Sequence, residues 1–154
     1  MYIRFQSPLP GKRGVHTGVF GLANGLGRSG ALTADEHVAW RAGNDWYNAA
    51  YPDPTDSDPT VYDPSIHPQA TAWFKSTATH LLERIPRYLE ILHAHGVECR
   101  RIESAAPGRI IYEDEVQIVV VPHEAPEEPQ PAQLPDGVHS RLRNDGAERD
   151  PSTC

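Results

Sequence analysis

Five prolines fall within the eighteen residues YPDPTDSDPTVYDPSIHP, from Tyr51 to Pro68. Proline fixes φ, lacks an amide hydrogen and biases the residue before it toward extended backbone. Neither a helix interior nor a central strand can cross this stretch. The fold must be assembled from what lies before and after it. Within it Asp-Pro-Thr/Ser recurs every five residues, at Asp53-Pro54-Thr55, Asp58-Pro59-Thr60 and Asp63-Pro64-Ser65. Asp-Pro starts turns, and the proline density makes the segment extended, stiff and longer than a helix–helix link requires. It reads first as a spacer, and next as a lid or a docking edge. Asp53, Asp56, Asp58 and Asp63 are hard oxygen donors. A calcium loop counted from Asp56, however, meets Val61 where glycine is needed and His67 where the closing glutamate belongs. Neither metal nor cofactor is expected.

Before this segment, Met1-Tyr2-Ile3-Arg4-Phe5-Gln6 alternates as a strand does, and Ser7-Pro8-Leu9-Pro10-Gly11-Lys12-Arg13-Gly14 reads as a loop. Val19, Phe20, Leu22, Ala23 and Leu26 form the apolar face of a short helix ending near Gly27–Gly30. Gly18, Gly21 and Gly25 on its side suggest close packing. Thr33-Ala34-Asp35-Glu36 is a capping box that starts a second helix. Its stripe of Ala39, Trp40, Gly43, Trp46, Tyr47 and Ala50 ends before Pro52.

After it, Phe74, Ala78, Leu81, Leu82, Ile85, Leu89 and Leu92 share one helical face. They predict a third helix over 69–95, opened by Pro68, bent or split at Pro86 and closed by Gly96. Strands follow at 97–102, 109–112 and 116–121, with Pro107-Gly108 as a turn. The expected fold is α+β in the order β-α-α-α-β-β-β. The last three strands would form an antiparallel meander, in an antiparallel or mixed small sheet with helices on one face.

The expected domain is 1–122. Residues 123–154 are rich in proline and charge, and Leu134, Val138 and Leu142 are too few for a core, so a disordered acidic tail is expected. There is no apolar run long enough to span a membrane and no apolar leader at the N-terminus. Cys99 and Cys154 are no disulfide framework, which favours the cytoplasm. The net charge of −7 argues against nucleic-acid binding. That charge is unevenly spread. Arg4, Lys12, Arg13 and Arg28 precede the first acid, Asp35, so residues 1–34 carry +4 and the remainder −11. Such a segment either steers an anionic ligand or packs against acidic neighbours, and the second is the default.

Gly18-Val19-Phe20, Trp46-Tyr47-Asn48, Ala72-Trp73-Phe74-Lys75-Ser76, His95-Gly96-Val97 and Pro107-Gly108-Arg109-Ile110-Ile111-Tyr112-Glu113-Asp114, with Gln117-Ile118-Val119, occur in this order. Together they resemble a group of short, uncharacterised bacterial proteins with a WFN…WFK…PGxIVYED pattern. The resemblance covers most of 1–122 and implies an independent small cytoplasmic domain without a known activity. It draws attention to Asn48, Lys75, Glu113 and Asp114.

Candidate chemistry is sparse. His80 with Glu83, and Glu90 with His93, have di-metal spacing but lie on the polar helix face, so a solvated surface is expected. Nothing resembles a nucleophilic triad. The leading expectation is a cytoplasmic partner-binding or regulatory protein without catalysis. It would meet a protein partner through the Asp-Pro segment around Trp46, Asn48, Tyr62 and Lys75. The alternative is a small enzyme or small-molecule binder with a pocket between Asn48, Trp73, Lys75 and Glu113 or Asp114. A concave site holding Lys75 beside an acid would favour it.

Overall fold

The computed structural model describes residues 1–11 and 13–123; the expected disordered tail, 123–154, lies outside the described residues except for its first residue, His123. The elements are β1 (Tyr2–Pro10), β2 (His16–Gly18), α1 (Val19–Ser29), α2 (Ala34–Ala50), α3 (Pro54–Ser57), β3 (Thr71–Lys75), α4 (Thr79–Leu82), α5 (Ile85–Ala94), β4 (Arg100–Ser104), β5 (Arg109–Glu113) and β6 (Gln117–Val121). The α+β expectation holds. All strand pairings are antiparallel, in the order β2-β1-β3-β6-β5, with β4 on the other edge of β1. No helix among the described residues is long and apolar enough to cross a membrane.

Strand β1 organises the sheet. Its alternation buries Ile3 and Phe5 among the helices. One edge pairs with β4 from Tyr2 to Gln6. The other edge is divided: Tyr2 and Ile3 pair with β3, while Gln6 and Pro10 pair with β2. The sheet therefore splits beside Arg4. The strand also runs through the expected loop as far as Pro10. Prolines are accommodated there because the pairing with β2 is irregular, with a register shift between Gln6 and Pro10.

The helices cover one face. Helix α1 ends at Gly30, whose φ of +75° is the left-handed conformation that suits glycine. Helix α2 starts with the expected capping box: Glu36 N–H donates to Thr33 Oγ1 at 3.2 Å, and Thr33 N–H donates to Glu36 Oε1 at 2.9 Å. His95 Nε2, just past α5, lies 2.8 Å from the same Glu36 oxygen and ties the end of α5 to the start of α2. Tyr47 donates to the Leu81 carbonyl at 2.6 Å, fixing α2 to α4. Gly25 meets nothing within 4 Å and Gly21 approaches only Thr17, where a Cβ would lie 2.9 Å from Cγ2, so the glycines that let the helices approach one another lie elsewhere. A Cβ at Gly27 would lie 2.5 Å from the Trp40 ring, and one at Gly43 would lie 2.8 Å from the Tyr88 hydroxyl.

Two expectations are corrected. Residues 71–75 are not helical; they form β3, inserted between β1 and β6. Phe74, Ala78 and Leu81 do share one core, but they reach it from a strand, a turn and a helix. A strand–turn–helix can thus bury the same residues as one helical face, and Thr71, Trp73 and Phe74 suit a pleated surface. The helical path then breaks before Pro86, which occupies the first turn of α5. The meander is also incomplete: β5 and β6 pair, but β4 crosses to β1.

Candidate functional site

The split in the sheet opens into a cleft of about 450 Å³. Its walls come from β1 (Arg4, Phe5), the start of α1, one face of α2 (Asn44, Tyr47, Asn48, Tyr51), the Asp-Pro segment, and Phe74 and Gln117 on the sheet. Positions 44, 47 and 48 are neighbours on the surface of α2 and Tyr51 is its C-cap, so the end of the helix offers amide and phenol groups to one side. Phe20 centres the aromatic wall, 4.7 Å from Tyr47, 5.3 Å from Tyr88, 6.3 Å from Tyr51 and 6.4 Å from Phe74 between ring centroids. Burial pushes the Tyr51 hydroxyl far above the ordinary tyrosine range and the Tyr62 hydroxyl up to about 12.

Arg4 closes the split. Its Nη1 donates to Ala72 O at 2.9 Å, its Nη2 to His16 O at 2.8 Å and its Nε to Gln6 Oε1 at 2.8 Å. One carbonyl belongs to β3 and the other to β2, so the guanidinium bridges the strands that part there. Among the described residues no carboxylate lies within 4.0 Å of it. The acidic neighbour expected for this cation is not at Arg4. Desolvation lowers its pKa.

The cleft amides are oriented by donors of known polarity. Trp40 Nε1 can only donate, and it donates to Asn24 Oδ1 at 2.9 Å. Asn44 Nδ2 donates to the same oxygen at 3.0 Å, and Tyr88 donates to Asn44 Oδ1 at 2.7 Å. The amide hydrogens of Asn24 are left over, and Asn48 bonds to no described residue. Gln117 is only 1% exposed; its Nε2 donates to Pro52 O at 2.8 Å and to Asp114 Oδ2 at 2.9 Å.

The Asp-Pro repeat is a run of local turns. In each copy the aspartate Oδ1 accepts both the amide and the hydroxyl of the residue two places on. These bonds, led by the hydroxyl, hold Asp53, Asp58 and Asp63 below the usual aspartate pKa. Val61 is fully buried and anchors the segment, while Asp53, Pro54 and Tyr62 face the cleft. Among the described residues no group of three or more His, Cys, Asp or Glu could hold a metal ion.

The residues singled out in the sequence are distributed over several places. Asn48 and Tyr62 line the cleft. Asp114 lies behind it, accepting Val116 N–H and Gln117 N–H on Oδ1 and the Tyr112 hydroxyl and Gln117 Nε2 on Oδ2. Desolvation opposes ionisation of this carboxylate, but the bonds outweigh it and its pKa is lowered. Lys75 and Glu113 do meet, at 2.5 Å across β3 and β5, but outside the cleft. Trp46 lies under the Arg84 guanidinium, 4.0 Å from its ring centroid. Trp73 packs with Ile118 and Val120 in a separate cluster. His80, Glu83, Glu90 and His93 are exposed.

Sequence reasoning did not single out Asn24, Asn44, Tyr51 or Gln117 for the site, and took Arg4 only as part of a basic segment. Asparagines at 44 and 48 flanking tyrosines at 47 and 51 were the available signal. No family model matches the chain, and no curated protein or solved structure gives a significant match.

Proposed function

We propose that this protein binds a small polar molecule in the cleft between α1, α2, the sheet and the Asp-Pro segment, without transforming it. The observation that carries this reading is one concave, aromatic-walled site in which Asn24 and Asn48 hold amide groups unused by the described residues. A binding pocket combines apolar walls with placed polar groups, and this cleft holds both, with polar groups unusually plentiful. Binding is favoured over proton transfer by the state of the ionisable lining groups. Tyr47, Tyr51 and Tyr62 are shifted up, away from neutral pH. Asp53 is shifted down. None is poised as a general acid or base near pH 7. Lys75 does not line the cleft, so the reading rests on Asn48 and Tyr62 rather than on the Lys75–Glu113 pair.

The test is a ligand-observed NMR screen of a mixed metabolite library against the full chain. Compounds that bind wild type and lose binding on Asn48→Leu support the reading. A library with no binder, or binders indifferent to Asn48→Leu and to Tyr62→Ala, would reject it.

A further inference from the structure

We infer that the ligand carries an oxyanion, a carboxylate or phosphate, seated against Arg4 where β2 and β3 part. This rests on the cleft being a binding site and names the chemistry of its ligand.

Two positive features converge there. One is the Arg4 guanidinium, bonded only to neutral acceptors and facing a cleft whose one carboxylate is Asp53. The Asp53 Oδ1 is already engaged by the Thr55 amide and hydroxyl. The other is the start of α1, an eleven-residue helix with no capping side chain and no acidic residue in its first turn. Its N-cap, Gly18, lies against Arg4: a Cβ there would sit 3.4 Å from Nη2 and 3.6 Å from Nη1. A guanidinium beside an uncapped helix start places like charge together, and an anion in the cleft within reach of both would be stabilised by each. Gly18 has φ −74° and ψ 167°, extended backbone open to any residue, so glycine is not needed there for conformation. A Cβ there would make only ordinary contact with the guanidinium, so a side chain at 18 can be introduced directly against Arg4.

The ordinary alternative is that Arg4 only braces the parted strands. Gly18→Asp separates the two. It would cap α1 and place a carboxylate against Arg4, stabilising the fold whichever reading holds. It would also occupy the oxyanion position. The experiment is thermal unfolding of the full chain with inorganic phosphate or malate, at ionic strength held constant with chloride. Wild type should show a saturable rise of about 5 °C at ten times the dissociation constant. Gly18→Asp should melt higher without anion and lose that rise. Arg4→Met should lose it as well, and if that variant does not fold, Gly18→Asp alone decides. A wild-type response no larger than with chloride would overturn the inference. So would a rise that survives in Gly18→Asp, since the anion would then sit elsewhere. Neutral binders in the NMR screen that depend on Asn48, with no response to either anion, would remove the oxyanion and keep the cleft; silence in both assays removes both.

Discussion

Gln117 Nε2 donates to the Pro52 main-chain oxygen at 2.8 Å, joining the first residue of β6 to the start of the Asp-Pro segment. The same nitrogen reaches Asp114, so one buried amide positions both the cleft wall and the β5–β6 turn. Gln117→Met keeps the volume but strands the Pro52 carbonyl. It should cost about 1–3 kcal/mol. Urea unfolding of the variant checks this, with an unchanged m-value expected.

Asp114 makes the acid limb of stability predictable. Its folded pKa lies below the ordinary 3.8, so between the two values the unfolded chain binds more protons than the folded one. Its contribution is complete above the unfolded pKa and is lost as pH falls through the folded one. Melting temperatures from pH 6 to pH 2 should fall in that window, and Asp114→Asn should lower the plateau and flatten the fall.

The alkaline limb belongs to tyrosine. Of the six tyrosines, Tyr88 is raised to about 12 by burial, Tyr47 and Tyr51 are raised further, and Tyr62, 40% exposed, is raised but contributes less to the fold. A raised folded pKa means the folded state holds protons that the unfolded state releases from pH 10 upward, so stability falls as pH rises from 10 toward 12. Phenolate absorbance should therefore lag behind free tyrosine until unfolding begins, then rise with it. A full phenolate signal at pH 11 with native circular dichroism would contradict the assignment.

The Asp-Pro-Thr/Ser turns need an acceptor oxygen, not a charge. Asn at 58 or 63 keeps that oxygen, so Asp58→Asn and Asp63→Asn should melt close to wild type, whereas Asp58→Ala and Asp63→Ala should melt lower. Asp53 also caps α3, and Asp53→Ala should cost about 1 kcal/mol. Since each Oδ1 is engaged within its own turn, EDTA or millimolar Ca²⁺ should leave the melting temperature unchanged.

Gly27→Ala tests the α1–α2 contact. A methyl 2.5 Å from the Trp40 ring must displace it, and with it the Trp40–Asn24 bond at the cleft margin. Overpacking of this kind costs about 1–3 kcal/mol. Tryptophan fluorescence and urea unfolding should change together, while Gly25→Ala, inside α1 with nothing within 4 Å, should leave the fluorescence unchanged and raise stability by about 0.5–1 kcal/mol.

What sequence alone determined here is local. The Thr33–Glu36 capping box, the stop of α2 before Pro52, the turns of the Asp-Pro segment and the alternation of Ile3 and Phe5 all follow from hydrogen bonds and sterics a few residues apart. Tertiary structure decided the rest. The spacing of Phe74, Ala78 and Leu81 suits a helix and a strand–turn–helix equally, and only the gap between β1 and β6 makes Thr71–Lys75 a strand. The partner of β4 was equally undetermined, since edge pairing depends on which strand presents free main-chain groups once the helices have packed. The cleft is the clearest case. Arg4, Gly18, Asn24, Asn48, Tyr62 and Gln117 are scattered along the chain, and no local interaction brings them together. They meet because β1 gives one edge to two strands, and the space where those strands part is a property of the folded sheet.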